Sequence, residues 1–271
     1  MRINDIPAGA VVVGIDGSHD SEAAADWALR HAAIEHRDLV LLCSSGDPST
    51  HQGVLDVVTR LITEQPLTRV HTLVTEENPR DALLEASRRA SIVVVGSRGL
   101  GAVTSRLLGS VGAAVVRHGH CPIVVVRPHH PGKVRRGVLV AVDGSPSSPA
   151  VLEFAFRQAA GSDLPLTVLH AEWDALVRAH EMSEEDPDRA GTALTLAEAL
   201  AGQKEKFPEV VVTQKLLRGS PRDAVLKYAD TMDLVVLGHG RHDPVSRVLF
   251  GSVALGVLEH ASTVVAVVPQ G

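Results

Sequence analysis

An internal repeat constrains this chain more than any other feature of its sequence. Three short segments recur: VGIDGS at 13–18 and VAVDGS at 140–145, NPRDALL at 78–84 and SPRDAVL at 220–226, and GSV at 109–111 and 251–253. The first pair is separated by 127 positions and the other two pairs by 142. The sequence therefore predicts two tandem copies of one fold, in domains 1–130 and 131–271, with an insertion of about 15 residues in the second copy.

Each copy alternates β-branched runs with helical stretches. The predicted strands are 10–15, 39–44, 69–74, 91–95 and 122–126 in the first copy, and 137–142, 166–171, 210–217, 233–237 and 264–268 in the second. Runs such as Ile92–Val95 are apolar without alternation, as expected when both faces of a sheet are covered by helices. Because strands alternate with helices, the crossovers should be right-handed. We predict an α/β fold with two tandem doubly wound domains, each a five-stranded parallel sheet with helices on both faces.

Several local patterns refine this outline. Ser21–Ala24 is expected to open the first helix, and Asn78 followed by Pro79 is typical of a helix N-cap and first helical residue. Residues 127–133 have the composition of a linker between the two copies. The acidic run Glu181–Asp188 lies in the insertion and is predicted to form a solvated loop.

Composition excludes several classes of function. The formal charge of −6 gives no basic surface for nucleic acid, and an aromatic content of 3% leaves few rings on which bases could stack. The apolar runs are far shorter than the ~20 residues of a membrane helix, and the N-terminal segment lacks a signal-peptide pattern. Cys43 and Cys121 do not make a disulfide framework, which fits a reducing compartment. We expect a cytoplasmic protein with no nucleic-acid or membrane partner.

A glycine-rich segment in the first copy has the chemistry of a phosphate site. Gly96 and Gly99 follow the fourth predicted strand, and Gly109-Ser110 precedes a helix predicted at 111–118. Glycine lets backbone N–H groups approach an anion without an intervening Cβ, and a helix start offers unpaired N–H groups and a positive dipole end. Each dipole contribution is only ~0.3–1 kcal/mol, so several donors must converge on the phosphates. Arg98 can add a charge-assisted contact.

A carboxylate follows the first predicted strand of each copy. Asp16 can accept hydrogen bonds from ribose hydroxyls or from an adenine donor, and ligands of open α/β sheets lie beyond the carboxyl ends of the strands at the topological switch point. If strands one and four are neighbours there, Asp16 and Gly96 flank one crevice. The alternative is that Asp16 and Asp143 only form the turn that ends their strands.

These residues resemble the universal stress protein family. Its nucleotide-binding branch carries the pattern G-x2-G-x9-G-[ST], which Gly96, Gly99, Gly109 and Ser110 match without departure. The resemblance covers essentially the whole chain, twice, as in tandem members of the family. It implies the strand order 3-2-1-4-5, ATP as the ligand, with or without Mg²⁺, and a regulatory role in the stress response in which the nucleotide controls conformation or the choice of partner.

The resemblance also implies a set of binding residues. Asp16 would contact the nucleoside, the backbone near Ser44 the adenine, and the glycines with Arg98 and Ser110 the phosphates. The candidates in the first copy are Gly14, Ile15, Asp16, Ser44, Val95, Gly96, Arg98, Gly99, Gly109, Ser110 and Val111. The candidates in the second copy are Ala141, Val142, Asp143, Ala171, Gly238, Gly240, Arg241, Gly251, Ser252 and Val253.

One position of the second copy departs from the family pattern. Arg241 stands where the first copy has Gly99, with Gly240 just before it, while Gly251-Ser252 keeps the expected spacing. If the backbone follows the same path, the arginine side chain crowds the phosphate position and weakens the site. If the loop shifts so that Gly240 takes the tight position, the guanidinium clamps phosphate instead. We expect the first outcome, and both remain open at this stage.

The sequence offers no catalytic or metal-binding set. It contains fourteen histidines, but the dense groups at 118–120 and 129–130 lack a second group of ligands at zinc-site spacing. The nucleophile-elbow, HExxH and P-loop patterns are all missing from it. We therefore predict a regulatory ATP-binding protein and not an enzyme. The alternatives are a slow ATPase or phosphotransferase at the same site, or a ligand-free dimerisation or scaffold module.

The last strand of each copy bears on assembly. In the order 3-2-1-4-5, Ile123–Val126 and Val264–Val268 are edge strands that are apolar and uncharged, and such edges invite pairing. We expect the two domains to pair with each other through these strands, and a homodimer is a further expectation.

Overall fold

A computed structural model describes residues 2–45, 48–65, 67–99, 108–127, 137–144, 148–174, 177–240 and 253–270, with the backbone alone at 48–51, 240 and 270. By its internal contacts the chain divides into two compact units, Met1–His129 and His130–Gly271.

The first unit is a parallel sheet with intervening helices. Its elements are β1 (Val11–Ile15), α1 (His19–Ile34), β2 (Leu39–Ser44), α2 (Pro48–Glu64), β3 (Val70–Thr75), α3 (Pro79–Ala86), β4 (Ile92–Gly96), α4 (Ser110–His118) and β5 (Ile123–Val126), after a 3-10 turn at Ile3–Asp5. The strand order is β3-β2-β1-β4-β5, and every pairing is parallel. This confirms the predicted fold class and strand order. Because β1 lies between β2 and β4, a crevice opens at the carboxyl ends of β1 and β4.

The core of the first unit explains why these runs become strands. Val11, Val12 and Val13 are consecutive in β1 and all fully buried, so both faces of the sheet are covered. The same holds for Val93 and Val94 in β4. β-Branched side chains pack well on such a pleated surface and have restricted χ1 freedom in helices. The continuous valine runs thus form the central strands.

Of the three predicted helix starts, that of α3 is confirmed, and those of α1 and α4 lie two residues and one residue too late. Asn78 caps α3 as predicted, since its side chain accepts a hydrogen bond from the Arg80 N–H at 3.0 Å. Helix α1 begins at His19, before the predicted Ser21. The reason is that Ser18 is the N-cap, and its Oγ accepts from the Ser21 N–H at 3.2 Å.

The second unit repeats the architecture with one addition. Its elements are β6 (Val138–Val142), α5 (Ser148–Gly161), β7 (Leu166–Glu172), β8 (His180–Glu181), α6 (Arg189–Lys206), β9 (Val212–Arg218), α7 (Pro221–Ala229), β10 (Leu234–Gly240), α8 (253–260) and β11 (Val264–Gln270). The order is β11-β10-β6-β7-β9-β8. The five predicted strands are all present, parallel and in the predicted order, as β9-β7-β6-β10-β11. The short strand β8, which pairs antiparallel with β9, is an addition that was not predicted.

The extra strand belongs to the insertion, and residues 177–188 are called the insertion strap below. The strap is not simply a solvated loop. Arg218 of β9 binds the carboxylates of Asp186 and Asp188, at 2.8 and 2.7 Å from Nη2. Glu181 accepts hydrogen bonds from the Tyr228 hydroxyl at 2.5 Å and from Lys215 Nζ at 3.0 Å. These partners hold the acidic run against the edge of the sheet.

The remaining strands lie within two residues of their predicted limits, with one exception that matters for the site. Strand β10 was predicted to end at residue 237 but continues to Gly240. Its last three residues, Gly238 to Gly240, pair with Val268 to Gln270 of β11. In the first unit, β4 already ends at Gly96, which pairs with Val126.

Candidate functional site

A cleft lies at the carboxyl ends of β1 and β4 in the first unit. It encloses a cavity of about 430 Å³, within the ~300–1,000 Å³ typical of small-molecule sites. All first-copy candidates line it, namely Gly14, Ile15, Asp16, Ser44, Val95, Gly96, Arg98, Gly99, Gly109, Ser110 and Val111. The fold thus gathers residues that are up to 97 positions apart in the sequence around one space.

Sequence reasoning missed further residues that line the cleft. They are Ser21, Leu42, Pro79, Leu83 and Gly112. Two signals could have found some of them. Pro79 and Leu83 lie in the segment that recurs at 220–226, and Leu42 shares a strand face with Ser44 because the two are two residues apart.

Asp16 is held in place at the end of β1 by the first turn of α1. Its Oδ1 accepts hydrogen bonds from the Ser18 N–H at 3.0 Å and from Ser18 Oγ at 2.6 Å. Its Oδ2 faces Gly99, since a Cβ added to that glycine would lie 2.5 Å from this oxygen. The carboxylate is therefore oriented across the cleft, from the end of β1 towards the loop that follows β4.

The carboxylate of Asp16 also acts on a neighbouring thiol. Cys43 is fully buried in β2, and burial, followed by the negative charge of Asp16, raises the pKa of its thiol. The thiol therefore stays protonated and is a poor nucleophile beside the cleft.

Ser44 marks the end of the cleft near β2 and β3. Its hydroxyl donates a hydrogen bond to the backbone oxygen of Glu77, just before α3. Ser45 N–H donates to Thr75 O at 3.1 Å, which closes the ends of these two strands. The backbone around Ser44 is thus fixed where it lines the cleft.

The loop after β4 is bound to α1 by a buried carboxylate. Asp20 Oδ2 accepts hydrogen bonds from Ser97 Oγ at 2.7 Å and from Arg98 Nε at 3.2 Å. Ser97 also accepts at its backbone oxygen from the Gly109 N–H, at 3.1 Å. These contacts join the two glycine segments of the motif, although eight residues between them, 100–107, lie outside the described part of the chain.

The three glycines of the motif face different surroundings. A Cβ on Gly96 would lie 2.7 Å from the backbone carbon of Asp20, so close packing on α1 requires this glycine. A Cβ on Gly99 would meet the carboxylate of Asp16. For Gly109, the nearest described atom is Ser97 O at 3.8 Å, an ordinary contact, and its φ of −59° suits any residue. Among the described residues, nothing in the protein's own packing explains the missing side chain of Gly109.

Helix α4 begins at the cleft and points its N-terminus into it. Gly109 is the N-cap and makes no side-chain capping hydrogen bond, and Ser110, Val111 and Gly112 form the first turn. The first N–H groups of a helix have no intrahelical acceptor and lie at the positive end of its dipole. Together with Arg98, this turn makes one wall of the cleft suitable for an anion.

The corresponding cleft of the second unit is much smaller, at about 40 Å³. Of the second-copy candidates, Ala141, Val142, Asp143, Ala171, Gly238 and Val253 line it. Ser148 Oγ donates to Asp143 Oδ1 at 3.0 Å and thus fixes this carboxylate. Gly240 lies in β10, whereas Arg241, Gly251 and Ser252 lie outside the described residues.

Side-chain volume accounts for part of this difference. Ala141 stands where the first copy has Gly14, and Ala254 where it has Gly112, so each adds a Cβ to the cleft wall. Leu237 replaces the smaller Val95. In the opposite direction, Val225, Val142 and Ala171 replace the larger Leu83, Ile15 and Ser44.

Metal-binding groups and membrane-spanning helices are the remaining features of the described residues. Among the described residues, no group of three or more histidine, cysteine, aspartate or glutamate side chains could hold a metal ion. No helix within the described ranges has both the length and the apolar character needed to cross a membrane.

Comparison with known proteins identifies the family. The model of the universal stress protein family matches residues 8–127 and again 135–269. A universal stress protein of Mycolicibacterium smegmatis is 32% identical, over 95% of this chain and 96% of its own length. Another, from Mycobacterium tuberculosis strain H37Rv, is 31% identical over 96% of both chains. A crystal structure of a universal stress protein from Archaeoglobus fulgidus has a TM-score of 0.68, 18% identity, and 98% and 97% coverage. The chain is a tandem, two-domain member of the universal stress protein family.

Proposed function

We propose that this protein is a regulatory ATP-binding protein of the stress response and that ATP, with or without Mg²⁺, binds the cleft of domain 1–130. Gly109 carries the proposal. The described neighbours leave ordinary room for a side chain at this N-cap, where Ser, Thr, Asp or Asn would stabilise the helix. A glycine there is explained by a ligand that needs close access to the N-terminus of α4.

The residues of the cleft fit an adenine nucleotide in three parts. Gly96, Gly99, Gly109, Ser110 and Arg98 form the anion-binding wall and hold the phosphates. Asp16, oriented by Ser18, accepts hydrogen bonds from the sugar hydroxyls. The backbone at Ser44, beside the apolar side chains of Leu42, Ile15 and Val95, takes the base. The cavity volume is in the range that such ligands need.

Binding, and not rapid turnover, is the activity that this cleft supports. Asp16 is the only carboxylate among the described residues that line it. Phosphoryl transfer usually requires carboxylates that hold metal ions and a residue that positions the attacking oxygen. With Asp16 assigned to the sugar, the described lining supplies neither, so the bound nucleotide acts as a signal that sets conformation or partner choice.

The second domain, residues 131–271, is proposed to bind ATP weakly or not at all. Its cleft has less than a tenth of the volume of the first, and Ala141, Leu237 and Ala254 fill the space that smaller residues leave in the first domain. In addition, β10 continues through Gly240, so a turn at Gly238 like that after Gly96 does not form. We therefore expect one nucleotide per chain.

We also infer that the two domains pair through β5 and β11 and that the protein acts in the cytoplasm. Within its own unit each of these strands lies at the edge of the sheet and is apolar, and unprotected edges of that kind are a liability. In the full chain, backbone amides of both strands should exchange with deuterium as slowly as those of β4; fast exchange of their outward amides would contradict the pairing. Light scattering measures the molar mass and would distinguish pairing within one chain from a homodimer.

Cytoplasmic location is supported by Cys43 and Cys121, which are both free thiols.

The direct test of nucleotide binding is chemical. The purified protein is precipitated with hot acid, and the supernatant is separated by adenine-nucleotide chromatography. Protein stripped of ligand is then incubated with ATP, dialysed and precipitated in the same way. We expect ATP in the supernatant at up to one equivalent per chain. No retained adenine nucleotide in either sample, from folded protein, would reject the proposed function.

A further inference from the structure

We propose that Asp20 is a positioning residue that holds the loop Gly96–Gly99 in its phosphate-binding geometry by fixing Ser97 and Arg98. The inference rests on the proposed function of the first cleft. Asp20 is not among the residues that line that cleft.

The contacts of Asp20 are buried and converge on one oxygen. Asp20 lies in the first turn of α1, only 6% exposed, and Ser97 is 1% exposed. The Ser97 hydroxyl and Arg98 Nε both donate to Asp20 Oδ2, at 2.7 and 3.2 Å. Hydrogen bonds to an ionised acceptor are stronger than neutral ones, and exclusion from water increases the effect. The loop after β4 is thus tied to α1 by a charged group.

The same helical turn also holds the other side of the cleft. Ser18 Oγ contacts both Asp16 Oδ1, at 2.6 Å, and the backbone oxygen of Arg98, at 3.3 Å. Gly96 packs directly on the backbone of Asp20. The turn from Ser18 to Asp20 therefore sets the distance between the Asp16 carboxylate and the glycine loop across the cleft.

Arg98 shows how this bracing would act on a ligand. Its Nε is bound to Asp20, while 44% of the side chain is exposed and lines the cleft. An arginine that is already held in one conformation loses less rotamer freedom when its terminal N–H groups bind phosphate. Asp20 thereby prepares Arg98 for the phosphates before the nucleotide arrives.

The second copy lacks this cluster as a whole. The positions that correspond to Asp20, Ser97 and Arg98 are occupied by Ser147, His239 and Gly240. There, His239 and Gly240 continue as strand β10, paired with β11, where the first unit has its loop. The three residues are present together in the copy with the open cleft and absent together in the copy with the small one.

The sign of the effect distinguishes positioning from simple electrostatics. If Coulomb forces alone acted, removing a negative charge beside an anion-binding wall would remove repulsion of the phosphates and tighten the binding of ATP. Loss of the brace should weaken it, because Arg98 and the loop then have to be ordered by the ligand. The two accounts therefore predict opposite changes when Asp20 becomes asparagine, a substitution that keeps the size and one acceptor oxygen.

The test measures the affinity of the full, nucleotide-stripped chain for ATP and for adenosine by calorimetry. We expect Asp20→Asn to weaken ATP binding by about tenfold and to leave adenosine binding within about twofold, because the brace acts through phosphate contacts. Arg98→Gln should show the same pattern, and the double variant should lose little more than either single one. Asp26→Asn, a charge removal on the same helix outside the cleft lining, is the matched control and should bind both ligands normally.

Other outcomes overturn the inference. Unchanged or tighter ATP binding by folded Asp20→Asn would show that the charge is not a brace. Equal losses for ATP and adenosine would show a general structural role. If Asp20→Asn does not fold, the exposed Arg98→Gln decides: a normal ATP affinity in that variant rejects the inference. A parent protein that binds neither ATP nor adenosine rejects the proposed function as well, whereas the first two outcomes leave it standing.

Discussion

Gly109 allows a substitution that should change stability and nucleotide affinity in opposite directions. It is the N-cap of α4, with φ −59° and ψ 154°, and it makes no side-chain capping hydrogen bond. A new Cβ would meet Ser97 O at 3.8 Å among the described atoms, so the Cβ itself needs no rearrangement of them. Aspartate is among the best N-cap residues and carries a negative charge to the positive end of the helix dipole.

The expected magnitudes follow from this geometry. Gly109→Asp should leave the free energy of unfolding unchanged or raise it by a few tenths of a kcal/mol, since glycine is itself a tolerated cap. A carboxylate about 4 Å from a bound phosphate is repelled by ~1 kcal/mol per unit charge in water and by ~4 kcal/mol near a protein surface. ATP binding should therefore weaken by tenfold or more, at about 1.4 kcal/mol per factor of ten.

The assay pairs urea unfolding with calorimetric titration of ATP, and Gly109→Asn serves as the control. Asparagine has the same size and capping ability without the charge, so it isolates the steric part of the loss. We expect the affinity for ATP to fall in the order glycine, asparagine, aspartate, with all three proteins equally stable or nearly so. Full ATP affinity in a stable Gly109→Asp protein would refute the placement of phosphate at α4.

Three further expectations concern the rest of the molecule. Gly96→Ala should cost about 1–3 kcal/mol of stability, because its Cβ would lie 2.7 Å from the backbone of the first turn of α1. Gly53→Ala, in an open position of α2, is the control and should be neutral or stabilising by up to ~1 kcal/mol. Urea unfolding of both variants checks this. Cys43 and Cys121 should resist a thiol reagent in the native protein and react on unfolding. The reason is that burial raises the pKa of both thiols, that of Cys121 to about 12. Rapid labelling of the native protein would contradict this expectation. Arg218→Gln should lower the protection factors of the β8 amides, which compare their exchange with the intrinsic rate at the same pH. Acidification should do the same in the parent. Arg218 lowers the pKa of its partner Asp186, so the pairing is present above the ordinary carboxyl range and is lost as pH falls through the lowered value.

Local sequence signals were enough to predict most of the fold. Every parallel strand begins within two residues of its predicted start. For central strands such as β1 and β4 the signal was an uninterrupted apolar run, because fully buried strands need no polar alternation. The extra strand β8 was not predicted, since two residues show no periodicity. Its position depends on partners such as Arg218 and Tyr228, more than 30 residues away in the sequence.

The candidate site was predictable only in part, for a related reason. The glycine spacing and the carboxylate after β1 indicated residues that prove to share a cleft. Asp20 gave no signal, because its partners Ser97 and Arg98 lie 77 and 78 positions away. The small volume of the second cleft likewise depends on which alanines and leucines face it, such as Ala141 and Leu237, and this follows from the folded structure.

We propose that one domain of this tandem protein, and not the other, holds the nucleotide. The most direct measurement is calorimetric titration of the full, nucleotide-stripped chain with ATP, followed by the same titration of Gly109→Asp. We predict one binding event per chain in the parent and its loss or strong weakening in the variant. Two equivalent sites in the parent, or a single site that Gly109→Asp leaves intact, would contradict the account.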